Sequence, residues 1–278
     1  MTYPIFLAVM AAALLHATWN ALIKTGENKQ TAMAILTVMQ SAVGIAVVCF
    51  RPWPEAQVWP WLIASGLIHM CYQLFLAYAY EQGDLSRVYP IARGAAPMMV
   101  LAFSLVFLTD PIAMMDYVGV VVLGLGIALM ARGIFANNES RRLLPFAIGS
   151  ACATAGYTLV DGLGARVSGD PIGYTGWLLI MAALFYVPSV VVLKGRGVLS
   201  ASARTWGVIG IAGGASYLAY AIVVWAMTQA PIALVAALRE TSILFAVLIG
   251  WLVFGEKMDR GKALAAVLIV TGVGLTRL

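Results

Sequence analysis

Ten runs of about twenty apolar residues, separated by short polar punctuation, fix what this chain can fold into. They fall at roughly 3–24, 31–50, 58–80, 86–108, 114–134, 145–166, 171–193, 206–228, 231–253 and 260–277. A run of that length crosses the hydrocarbon core as one helix, because in lipid the backbone must satisfy its own hydrogen bonds. The connections are brief, as in Thr25-Gly26-Glu27-Asn28-Lys29-Gln30 and Phe254-Gly255-Glu256-Lys257-Met258-Asp259. The longest, near 135–144 and 194–205, are too short for a soluble domain, so the protein works inside the membrane. Composition agrees: 62% of residues are hydrophobic and 10% charged, against about a quarter charged in soluble proteins. The predicted class is an all-α integral membrane protein of ten transmembrane helices.

The net charge of +5 does not imply nucleic acid, because the basic residues are dispersed one to three per loop. Their distribution sets topology instead. Loops after the odd-numbered runs hold Lys24, Lys29, Arg87, Arg132, Arg141, Arg142, Lys194, Arg196, Arg204, Lys257, Arg260 and Lys262. The opposite side holds only Arg51, Arg166 and Arg277, and Arg93 and Arg239 lie inside runs. Both termini are therefore expected outside the cytoplasm. The N-terminus lacks the basic segment of a cleaved signal peptide, so the first helix is expected to be retained. Cys49, Cys71 and Cys152 all fall within apolar runs and read as buried small hydrophobes without a disulfide.

The two halves of the chain are related. A shift of 146 overlays Arg93 on Arg239, Asp110 on Glu256 and Gly126 on Gly272, and a shift of 141 puts His16 on Tyr157 and Asn20 on Asp161. Five spans per copy is an odd number, so the second copy must insert upside down. The expected domains are a first five-helix repeat over 1–136 and a second, inverted one over 137–278. Inverted repeats with a site at their interface characterise many secondary transporters.

The chain resembles the drug/metabolite transporter superfamily in its ten-helix EamA branch. The resemblance rests on Gly83-Asp84-Leu85-Ser86-Arg87-Val88-Tyr89-Pro90 leading to Arg93 and Pro97, and on Leu252-Val253-Phe254-Gly255-Glu256-Lys257 before the last helix. It implies a bacterial inner-membrane carrier, often an exporter of amino acids or related metabolites. Helices one, three, four, six, eight and nine would line its central cavity.

Polar residues at membrane depth are the candidates for function. Arg93, between Pro90 and Pro97, lies on the order of 10 Å from one membrane boundary at a 1.5 Å rise per residue, and Arg239 as far from the other. Each could bind an anionic substrate group or pair with an acid as a gate closes. Asp161 is level with Arg239, which predicts an Asp161–Arg239 pair. Glu240 is deeper than any other carboxylate and is the first candidate for proton coupling. It should project about 100° around the helix from Arg239. His16 and His69 sit near mid-membrane and could relay protons. His16, Trp19 and Asn20 share a face of helix one, as His69, Tyr72 and Gln73 do in helix three. With Tyr89, Tyr157, Tyr217 and Tyr220 they complete an aromatic and amide lining suited to an amphipathic solute. Gly210 and Gly214 read as a small-xxx-small packing pair, while Gly119, Gly124, Gly126, Gly272 and Gly274 read as packing or a dimer contact.

The expected function is proton-coupled export of a small amino-acid-like metabolite by alternating access, from a monomer or homodimer whose partners are its small-molecule substrate and membrane lipid. One alternative is an exchanger of anionic metabolites without protons. Others are a membrane enzyme using His16, His69 and Glu240, and a channel. No metal-ligand spacing, phosphate loop, GxSxG or HExxH occurs, so no metal, cofactor or ATP hydrolysis is expected.

Overall fold

The computed structural model describes residues 1–24, 29–82, 95–131, 143–255, 258 and 260–277. The expected site residues Tyr89 and Arg93, together with Pro90 and Glu256, lie outside the described residues. Among those described there are eleven α-helices and no strand. They are α1 (Tyr3–Lys24), α2 (Lys29–Val48), α3 (Trp59–Gln82), α4 (Ala96–Phe107), α5 (Met114–Ala131), α6 (Leu143–Ser168), α7 (Pro171–Lys194), α8 (Ala203–Gln229), α9 (Ile232–Arg239), α10 (Ser242–Phe254) and α11 (Arg260–Leu275). Six described stretches are long and apolar enough to cross a membrane, among them Ile232–Val253, which joins α9 to α10.

The inverted repeat is written in which helices touch. Exchange each first-repeat helix for its second-repeat counterpart, and the main seams map onto one another. Thus α3 packs on α6 as α8 packs on α1, and α3 on α7 as α8 on α2. Likewise α4 meets α6 as α10 meets α1, while α2–α7 and α5–α11 are self-paired seams. The shift of 146 carries Ala96, the first residue of α4, onto Ser242, the first of α10.

One expectation needs correction. The ninth run is not one helix, because it stops at Arg239 and restarts at Ser242. Lipid offers no partner to the freed backbone groups, so the break must saturate itself. Glu240 N–H and Thr241 N–H donate to Ala237 O and Leu238 O, each at 3.1 Å, and the Thr241 hydroxyl also donates to Leu238 O at 2.7 Å. Every residue of α9 is buried. It is the central helix of the bundle, packed against α1, α4, α5, α6 and α8.

Close helix approach uses other glycines than expected. A Cβ on Gly214 would meet nothing within 4 Å, and one on Gly210 only the Met39 sulfur at 3.6 Å. Gly213 is the contact residue, where a Cβ would stand 2.7 Å from Met39 Cβ on α2. Gly213→Ala is therefore expected to destabilise the protein by about 1–2 kcal/mol through overpacking, and Gly214→Ala to be neutral or slightly stabilising. Thermal unfolding of the two variants in detergent checks this, and equal effects would refute it. Gly44 and Gly176 play the same part at the α2–α7 seam, where a Cβ on Gly44 would lie 2.7 Å from Gly176 O.

The cysteines also depart from expectation. All three are free, but Cys49 and Cys152 are exposed rather than buried. A thiol is apolar enough to face lipid without cost.

All three arginines on the sparsely charged side are bound internally. Arg51 grips Asp170 with Nε–Oδ2 at 2.9 Å and Nη2–Oδ1 at 2.5 Å, and Asp170 also caps α7 by accepting from Gly173 N–H at 3.1 Å. Burial works to raise the Asp170 carboxyl, but the Arg51 guanidinium and the Gly173 N–H outweigh it and hold the group below the usual carboxylate range. The same pairing raises Arg51. Arg277 donates to Met1 O at 2.9 Å and lies over the Tyr3 and Phe6 rings. Arg166 pairs with Asp110.

Candidate functional site

The helices α3, α6, α8 and α9 converge on one polar cluster. His69 of α3 stacks on Tyr157 of α6, with ring centroids 4.2 Å apart and planes 19° from parallel. Its Nε2 lies 3.0 Å from Asp161 Oδ2, one turn further along α6. The Tyr220 hydroxyl of α8 donates to the same oxygen. Tyr220 meets the His69 ring edge-on at 5.7 Å, and Tyr72 meets Tyr157 edge-on at 5.4 Å. Arg239 closes the set, its Cζ 5.9 Å from the Tyr157 ring centre. Helix periodicity builds this arrangement: Tyr157 and Asp161 are four apart on α6, hence on one face.

The expected Asp161–Arg239 pair is not the one that forms. Asp161 bonds to His69 and Tyr220, while Arg239 bonds to its neighbour Glu240, with Nη2–Oε1 at 3.0 Å and Nε–Oε1 at 3.2 Å. Glu240 directly follows the last residue of α9, and the long Arg239 side chain reaches its carboxylate there. Both are almost wholly buried, at 4% and 0% exposure.

Asp161 is fully buried, and its second oxygen, Oδ1, has no hydrogen-bond partner among the described residues. Taking a carboxylate out of water costs several kcal/mol, and hydrogen bonds to a charged group return about 1.5–3 kcal/mol each. One oxygen is thus bonded twice, and the other has no hydrogen bond within range among the described residues. His69 Nε2 and Asp161 Oδ2 are within hydrogen-bond distance of each other. The buried hydroxyls of Ser65, one turn from His69, and of Ser150 and Thr154 on the Asp161 helix are likewise unbonded among the described residues.

The other expected residues go elsewhere. His16 meets Trp19 edge-on at 4.9 Å, and Asn20 donates to His16 O at 2.7 Å, all on α1. Trp19 packs with Ile35, Leu36, Ile209 and Ala212. Gln73 accepts from the Thr37 hydroxyl of α2 at 3.0 Å, although it is one turn from His69. Tyr217 is 6% exposed and belongs to the apolar cluster of Val58, Leu62, Tyr174 and Leu178, against which Tyr220 also packs. Gln40 on α2, which donates to Ser216 on α8 at 2.9 Å, was missed from sequence. A lone amide inside an apolar run was the available signal. Among the described residues no group of His, Cys, Asp or Glu has the geometry to hold a metal ion.

Comparison with known proteins adds the following. The profile of the EamA-like transporter family matches residues 3–132 and again 142–278, so it covers both halves. A solved crystal structure is similar over 99% of this chain and 96% of its own, with a TM-score of 0.75 and 19% identity, a likeness of fold. No curated protein matches.

Proposed function

Because this chain belongs to the EamA-like transporter family, we propose that it is a proton-coupled secondary carrier that exports a small amino-acid-like metabolite across a bacterial inner membrane. The observation that carries this reading is the setting of Tyr157. Its ring stacks on His69, which is hydrogen-bonded to the buried Asp161, and lies 5.9 Å from the guanidinium carbon of the buried Arg239. An amphipathic zwitterion offers the matching parts: a carboxylate for the guanidinium, and an ammonium and an apolar body for the tyrosine rings. Proton coupling moves from Glu240, the first candidate in sequence, to His69–Asp161, since Glu240 is engaged by Arg239. Exchange of anions without protons is the weaker reading, because it gives the buried His69–Asp161 pair no part.

The loops after the odd-numbered runs carry twelve of the seventeen basic residues, and by the positive-inside bias that side is the one we assign to the cytoplasm. Both termini would then lie outside.

The test is transport by purified protein in proteoliposomes, with radiolabelled amino acids offered singly. A pH gradient imposed with no amino acid inside should drive uptake of at least one of them. Uptake that requires a counter-substrate and ignores the gradient would overturn the coupling.

A further inference from the structure

The Asp110–Arg166 pair does more than neutralise two charges. Arg166 Nη1 and Nη2 grip the two Asp110 oxygens at 2.7 and 3.0 Å. The same guanidinium donates from Nε to Met227 O at 2.9 Å and from Nη2 to Ala230 O at 3.1 Å. Asp110 Oδ2 also accepts from Ile232 N–H at 3.1 Å. Five hydrogen bonds thus tie together the end of α6, the end of α8 and the start of α9. The anchor, Asp110, comes from the first repeat, in the segment 108–113 between α4 and α5.

These are the three helices by which the second repeat builds the polar cluster. Arg166 is five residues beyond Asp161 on α6, and Met227 seven beyond Tyr220 on α8. Ile232 is seven before Arg239 on α9. At a 1.5 Å rise per residue the pair therefore sits about 8–10 Å above the cluster, on the side that carries Arg51 and Asp170. A solute moving between the cluster and that face has to part the helices the pair holds together. The pair also bridges the two repeats, the bodies whose relative movement gives alternating access in inverted-repeat carriers.

We propose that Asp110 and Arg166 form the gate on this face, closed in the present structure and broken each time the pathway opens there. A bidentate ion pair is strong enough to hold a closed state. It is also only partly buried, at 30% and 15% side-chain exposure, so water can take over its bonds when it opens. Backbone carbonyls of α8 and an N–H of α9 complete the latch, so breaking one contact frees three helix ends together. The inference needs only that the chain is a carrier, and no substrate or coupling ion enters it.

The experiment uses the full chain in proteoliposomes, with Cys49, Cys71 and Cys152 replaced by alanine and Thr158→Cys as a reporter one turn from Asp161. A membrane-impermeant maleimide is added to the face that carries Asp110. Asp110→Asn, which keeps the shape and removes the charge, should raise the labelling rate about tenfold by shifting the population towards the open state. In the D110C/R166C protein, a reducible cross-linker spanning the two positions should cut labelling at position 158, read by peptide mass spectrometry, about tenfold from that face, and reduction followed by removal of the reductant should restore it. A purely structural clasp is indifferent to being joined covalently, so labelling that is unchanged by the cross-link overturns the proposal. Labelling that is unchanged in Asp110→Asn overturns it as well. Because the readout involves neither substrate nor protons, the gate can fail while proton-coupled transport stands, and the reverse.

Discussion

Asp161→Asn is expected to lower pH-gradient-driven transport about 100-fold while exchange of internal for external substrate stays within about threefold, the pattern of a lost proton site on an intact fold. The asparagine fits the same space and can still accept from Tyr220 through its amide oxygen, so the helices should pack as before. It cannot take up and release a proton. In the native protein the Asp161 oxygen that receives Tyr220 also faces His69 Nε2 at 3.0 Å, and its other oxygen is buried and unbonded. If Asp161 binds and releases a proton during transport, the charge of the site changes by one. That change is what a carrier needs if proton release is to be linked to substrate binding. Proteoliposome uptake under an imposed gradient, with counterflow at uniform pH beside it, measures both quantities. Gradient-driven uptake in Asp161→Asn equal to that of the wild type would remove Asp161 from the coupling mechanism.

The second large effect belongs to stability. Gly272→Leu should lower the midpoint of thermal unfolding in detergent by on the order of 10 °C, whereas Gly274→Leu, two residues on, should leave it nearly unchanged. A Cβ on Gly272 would stand 2.6 Å from Leu123 N and 2.7 Å from Gly119 O, both backbone atoms, while one on Gly274 would meet nothing within 4 Å. Side chains can rotate away from an added carbon, but two helix backbones cannot, so the whole α5–α11 seam must open. Lipid supplies little drive to bring helices together, and close backbone approach through small residues does that work instead. The seam is self-paired in the repeat: a Cβ on Gly126, the residue that the shift of 146 overlays on Gly272, would lie 3.0 Å from Ala265 O. Equal loss from the two leucine substitutions would show that lipid-facing bulk, not the seam, sets the cost. The expectation that Gly119, Gly126 and Gly272 serve packing is met inside the molecule, at α5–α11, and no dimer contact is needed to explain them.

The unit of the fold was legible because lipid makes it so. Spans are set by the thickness of the hydrocarbon core, and α1, α7 and α11 begin at the residues where hydropathy starts them: Tyr3, Pro171 and Arg260. An odd number of spans per copy forces inversion. His69, Asp161, Tyr157, Tyr220 and Arg239 were conspicuous for the same reason, since a polar group at that depth is costly unless other polar groups surround it.

What the sequence by itself determined, then, was an all-helical, duplicated membrane protein of the EamA family and the roster of its costly residues. Only the tertiary structure decided who partners whom. Asp161 went to His69 and Tyr220, Arg239 turned to Glu240, and Asp110 reached across the repeats to Arg166. Such pairings depend on the rotation of each helix about its axis and on a backbone break at Glu240–Thr241. Neither leaves a mark on hydropathy, because helix rotation is fixed by contacts between residues distant in sequence. For the same reason Gly213 rather than Gly214 touches α2: the two are neighbours in the chain but lie about 100° apart around the helix.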